Sequence, residues 1–184
     1  SEYTEFGNGM IKSKAIDDRF GCALLIELIK SDLEYDAYFT FTVQEEIGLR
    51  GARAAAFSVN PDVAIAVEAT TAADIEGVSG NKRVCSLGKG AVVSYMDRGT
   101  MYDKELYNYA FEIAEKKNIS CQTKTLIAGG NNSGAIHIAG NGVRTIAVSA
   151  PCRYLHSPSC VVKRDDLLSC LEIVRELIAK AAVL

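Results

Sequence analysis

Along the chain, apolar residues alternate between short continuous runs and a three-to-four-residue spacing. Residues 38–43 (YFTFTV) are aromatic or β-branched throughout, which predicts a strand buried on both faces of a sheet. Gly48 and Gly51 break that run, and the small-residue segment that follows predicts a helix over about 52–57. Asn60-Pro61 then turns the chain into a second buried strand at 63–67, closed by Glu68 and a threonine-rich loop. Upstream, residues 1–14 read as an irregular lead-in with a short strand. Cys22, Leu25, Ile26 and Ile29, at the i, i+3, i+4, i+7 spacing, predict a helix that starts beside Asp17 and Asp18.

The second half continues the alternation. Residues 84–96 read as one or two strands broken at Gly88-Lys89-Gly90 and ended by the turn Asp97-Arg98-Gly99. Helical spacing over 102–117 runs through Leu106, Tyr109, Ala110, Ile113 and Ala114, and Lys116 and Lys117 complement the dipole at its end. A strand at 119–126 leads to the tight loop A-G-G-N-N-S-G at 128–134, then to a short helix holding His137, which reads as a structural histidine. A last apolar strand at 143–149 ends at Pro151, and the loop R-Y-L-H-S-P-S spans 153–159. The closing helix, about 164–181, places Leu167, Leu168, Leu171, Val174, Ile178 and Ala181 on one face. Strands alternating with helices, without repeats, imply an α/β fold: a three-layer α/β/α sandwich around a mostly parallel, mixed sheet.

Composition narrows the class. A length of 184 residues suits a single domain, 1–184, and 48% hydrophobic with 23% charged residues is ordinary for a globular protein. No apolar run approaches the ~20 residues of a membrane span. The net charge is −3 and the basic residues are scattered, which argues against nucleic acid and anionic membranes and for a small-molecule or peptide partner. Six well-separated cysteines without a C-x-x-C pair, and a polar start without a signal sequence, point to reduced thiols and a cytoplasmic setting. The opening SEYTEFGNG, with neither an initiator Met nor an element, reads as a piece of something longer.

Carboxylates collect at predicted strand ends and helix starts: Asp17, Asp18, Glu45, Glu46, Glu68 and Asp97, with His156 on a neighbouring loop. Ligands bind at the carboxyl ends of strands in open α/β sheets, and carboxylates with one imidazole on such a rim suit a metal ion. Adjacent glutamates allow one to ligate while the other takes a proton from water. Each residue also has an ordinary reading. Glu45-Glu46 alone is more often a solvated turn, one of the two aspartates serves as a helix cap, and a lone loop histidine usually makes common hydrogen bonds.

The segments A-I-D-D-R-F-G, F-T-V-Q-E-E-I-G-L-R-G-A, A-I-A-V-E-A-T-T-A-A-D, L-G-K-G, M-D-R-G, G-G-N-N-S-G-A-I-H and R-Y-L-H-S decide between these readings. In this order, through essentially the whole chain, they resemble the metallo-aminopeptidase family of glutamyl and tetrahedral aminopeptidases, some members of which have been labelled endoglucanases. The resemblance implies a zinc-exopeptidase-like catalytic domain that binds divalent ions, zinc or cobalt, two in the family. Asp17 is then the bridging ligand, joined to Asp18 by a cis peptide, with Glu46 and His156 as further ligands and Glu45 as general base. Glu68 stands where the family usually has a ligating aspartate, and Asn131-Asn132 where it commonly has Thr-Asp. Asp97 is a candidate for holding the substrate's amino terminus.

The family's N-terminal catalytic segment, with one more ligating histidine, and its inserted oligomerisation domain do not precede Asp17. The expectation is therefore a metallopeptidase domain truncated at its N-terminus, with one ion site complete and a second lacking its histidine. The function expected is hydrolysis of N-terminal residues from peptides, in a homo-oligomer. A catalytically incompetent metal-binding fragment is the alternative. A glycoside hydrolase ranks last because it gives His156 no role.

Overall fold

The computed structural model describes residues 2–184. β1 (Thr4–Phe6) and β2 (Met10–Ser13) form a hairpin, and β2 also pairs antiparallel with β7 (Cys160–Lys163), giving a small sheet of order β1-β2-β7. α1 (Ile16–Ile29) and α2 (Arg50–Val59) precede β3 (Val63–Thr71), followed by β4 (Ala91–Val93), α3 (Lys104–Lys117) and β5 (Cys121–Thr123). A short α4 (Ser133–Ile136), β6 (Arg144–Cys152) and, after β7, the long α5 (Arg164–Ala181) complete the chain. The larger sheet has the order β3-β6-β4-β5. It is mixed: β3 runs parallel to β6 and β4 to β5, while β4 and β6 are antiparallel.

β6 is buried at every position after Arg144, so helices must cover both of its faces. α5 crosses β6 and β4 and packs on α1 and α3, while α4, joined to α2, meets β3 and β6. Leu28, Leu106, Ile146, Val148, Ile173 and Leu177 are fully buried in the resulting core, each worth roughly 1.5–3 kcal/mol of transfer free energy. Among the described residues no helix is long and apolar enough to cross a membrane.

Local chemistry explains where the elements stop. Asp103 caps α3 by accepting from Leu106 N at 3.0 Å, and Asn118 ends it in the left-handed region. The loop before β4 is tied down by Asp166 at the start of α5, whose carboxylate accepts from Gly88 N and Gly90 N, both at 2.7 Å. Gly90 has φ +84°, and a Cβ there would lie 1.9 Å from Ser120 O. Gly90→Ala is expected to destabilise the fold by about 1–3 kcal/mol, read as a lower urea midpoint. An unchanged midpoint would contradict this packing.

Three expectations need correction. Residues 38–43 join neither sheet: Phe39 packs on the core, but Tyr38, Phe41 and Val43 are 83%, 50% and 68% exposed. Strand-forming composition fits a pleated surface but cannot supply a ladder partner. α1 buries Phe20, Leu24 and Leu28 and turns Cys22, Ile26 and Ile29 outward. Its sequence is apolar almost all round, so its periodicity admits two faces. On α5 the boundaries agree with expectation, but the buried face passes through Cys170, Ile173, Val174 and Leu177, leaving Leu168 exposed.

Candidate metal centre

Asp17 and Asp18 interrupt the first turn of α1 with non-helical backbone angles, and the peptide between them is cis. Asp18 turns back on the helix and accepts from Gly21 N at 2.9 Å. A Cβ on residue 21 would fall 2.1 Å from Asp18 Oδ2, so Gly21 makes room for this bond. One aspartate thus acts as the cap, and Asp17 is left to face the cavity.

Glu45 and Glu46 lie in the turn between residues 38–43 and α2. Gly48 N and Leu49 N donate to Glu45 O, and Gly51 N donates to Val43 O at 3.0 Å. Gly51 is needed there, because a Cβ would approach Val43 O to 2.4 Å. His156 sits on the loop joining β6 to β7. Arg153 and Val161 exchange both backbone hydrogen bonds at the base of this loop, and Arg153 donates to both carboxylate oxygens of Asp74, at 2.7 and 2.9 Å.

These three segments bring Asp17, Glu46 and His156 together. One ligand atom from each lies within 4.8 Å of the others. His156 Nε2 is 3.3 Å from Asp17 Oδ2 and 3.4 Å from Glu46 Oε1. Glu45, Glu68 and Lys124 line the same cavity of about 330 Å³. Burial, then the charge of Glu46, raises the Asp17 carboxyl above its ordinary range. Glu45 is raised by burial and then by Glu46, and Glu68 is raised well above its usual value by burial and then by Glu45. Crowded carboxylates beside an imidazole, each penalised for its charge, form a donor set that a divalent cation fits.

The sequence pattern of the M42 glutamyl aminopeptidases matches residues 1–173. The chain belongs to this family. A putative aminopeptidase of Acetivibrio thermocellus is 39% identical over 168 residues, covering 90% of this chain and 50% of the relative. A solved aminopeptidase from the archaeon Desulfurococcus kamchatkensis superposes with a TM-score of 0.90 at 33% identity, covering 95% of this chain and 50% of that one. The Pyrococcus horikoshii TET1 peptidase, which can assemble into a tetrahedron or a large octahedral shell, superposes at 0.81 with 30% identity, covering 96% and 52%. This M42 chain spans about half the length of the relatives it matches.

The other expected residues of the M42 chain are placed differently. Glu68 lies inside β3 rather than at its end, outside the trio, and accepts from Asn132 N at 3.2 Å. Asp97 is only 4% exposed. Its carboxylate accepts from Gly99 N and Thr100 N at 2.8 Å and from the Tyr102 hydroxyl, which in turn accepts from Asn131 Nδ2. Asp97 therefore supports the 128–134 loop from behind and is absent from the cavity lining. Lys124 is a site residue that the sequence reading missed. Its Nζ donates to Ala128 O at 2.9 Å, and burial lowers its pKa. An isolated lysine after a three-residue strand carries no motif that could have pointed to it.

Proposed function

We propose that this chain carries the metal-binding and proton-transferring residues of an aminopeptidase that removes N-terminal residues from peptides. The observation behind this is the convergence of Asp17, Glu46 and His156 within 4.8 Å, with Glu45 lining the same cavity. Asp17, Glu46 and His156 would hold one divalent cation, zinc or cobalt, and Asp17 with Glu68 could contribute to a second. When bound, the cation supplies Lewis acidity toward the scissile carbonyl and the attacking water. Glu45 takes the proton of that water and delivers it to the leaving amine, a role that its raised pKa suits. Lys124 and the 128–131 segment form the wall that the substrate meets.

Metal analysis of dialysed protein is expected to find close to one tightly held ion per chain, since Glu68 stands apart from the trio. Two tightly held ions would overturn this assignment. Turnover is tested with a panel of aminoacyl p-nitroanilides and added Zn²⁺ or Co²⁺. Release of nitroaniline that requires the cation supports the reading. The exposed 38–43 run that leads directly into Glu45 favours a second reading, in which the chain binds the ion but does not turn over alone. Homo-oligomerisation, as in the P. horikoshii peptidase, is part of the proposal and is read by light scattering.

A further inference from the structure

The loop carrying His156 is closed at its base by two thiols. Cys152 ends β6 and Cys160 opens β7, and they are 0% and 1% exposed. Arg153 and Val161 form a hydrogen-bonded antiparallel pair, so the residues just before each of them project from the same face of the two strands. Cys152 and Cys160 are therefore diagonal neighbours on one buried face of this pair. They also hold the loop: the Cys160 thiol donates to Ser157 O at 3.4 Å and Tyr154 O at 3.5 Å, and the Cys152 thiol to Arg153 O at 3.3 Å. Tyr154 and His156 have φ of +57° and +62°, a left-handed backbone that non-glycine residues keep only under restraint.

We propose that Cys152 and Cys160 are a reversible dithiol–disulfide pair whose oxidation loosens the His156 loop and weakens cation binding by Asp17, Glu46 and His156. The oxidant is a low-molecular-weight disulfide such as oxidised glutathione. One cysteine thiolate attacks it, forming a mixed disulfide and releasing one glutathione. The second cysteine attacks the protein-side sulfur, forming the Cys152–Cys160 bond and releasing the other glutathione. Two protein thiols lose two electrons and two protons, and the small disulfide becomes two thiols.

The consequence follows from the donors lost. A disulfide sulfur has no hydrogen, so Ser157 O loses its thiol donor and Tyr154 O is left with Ser157 N alone, and bonding draws two non-bonded sulfurs to about 2.05 Å. Both changes act on the backbone that aims His156. Burial pushes the Cys152 thiol above its ordinary value, so reaction proceeds through opening of the loop, whose Tyr154, His156, Pro158 and Ser159 already face solvent.

The weakened cation binding rests on the proposed metal centre, whereas the pairing does not. The test treats the reduced chain with oxidised glutathione and maps its peptides. The expected product is two hydrogens lighter, with a peptide linking Cys152 to Cys160. Zn²⁺ titrations of reduced and oxidised protein should differ about tenfold or more in Kd. Cys160→Ser keeps a hydroxyl donor in the thiol's place but cannot form the disulfide, so it should bind like the reduced chain and ignore glutathione. Cys152→Ala is the second variant, should the first fail to fold. No linked peptide, under conditions that modify the exposed Cys22, would overturn the pairing. A linked peptide with an unchanged Kd would overturn the coupling. A chain that binds no cation in either state overturns the metal centre and with it the coupling, while the linked peptide still decides the pairing.

Discussion

Glu45→Gln is expected to leave Zn²⁺ binding intact and to lower aminoacyl p-nitroanilide turnover by about 10²–10⁴-fold, the usual worth of a positioned general base. The split follows from geometry. Glu45 lines the cavity but offers no oxygen to the trio of Asp17, Glu46 and His156, so an amide of the same size leaves the ligand set in place. What the amide removes is the acceptor, a carboxyl whose proton affinity is raised by burial and then by the adjacent Glu46. The neighbouring substitution is the control. Glu46→Gln replaces a charged ligand carboxylate, 3.4 Å from His156 Nε2, with a neutral amide and should lose the ion before it loses chemistry. Isothermal titration and kcat, measured on the same preparations, separate the two. Turnover retained in Glu45→Gln, or metal lost from it, would reverse the roles assigned to the pair.

The roles of Glu45 and Glu46 came from the family resemblance, whereas the partition of the aspartate pair depends on local order along the chain and was legible there. Two adjacent acids with Gly21 three residues on allow one to cap α1 and the other to face outward, and the structure makes that partition with Asp18 and Asp17. The alternation of strands and helices was equally local, and α5 begins and ends where its spacing indicates. What depended on distant partners was not legible. Residues 38–43 have strand composition without a ladder, the apolar α1 could bury either of two faces, and Asp97 looked like a rim acid until Tyr102 and the turn amides enclosed it. The Arg153–Asp74 pair spans 79 positions and Lys124 enters through the fold of β5, so no spacing rule connects either to the site.

Without metal, the chain is expected to lose thermal stability as pH rises above the ordinary carboxylate range, the opposite of the usual behaviour of salt-bridged carboxylates. Burial is the first cause of the raised pKa at Asp17, Glu45 and Glu68, and the mutual repulsion of the acids adds to it. In the unfolded chain these groups titrate in the ordinary carboxylate range, whereas in the folded chain they keep their protons to higher pH. Between those limits the folded state binds more protons, so its stability is greatest below the unfolded pKa values and is lost as pH climbs through the folded ones. A divalent cation occupies the same electrostatic position as the lost protons. At a hundredfold excess over its Kd it should return about 2.7 kcal/mol at the alkaline end, or roughly 5–10 °C in Tm for a domain of this size. Glu68→Gln should flatten the metal-free pH profile, because the amide oxygen can still accept from Asn132 N while the most strongly penalised charge is gone. Calorimetric scans at several pH values, with chelator and with added Zn²⁺, measure both slopes. A metal-free Tm that rises with pH would mean that these carboxylates are better solvated in the folded chain than their burial indicates, and the site would then lack the electrostatic tension that favours a cation.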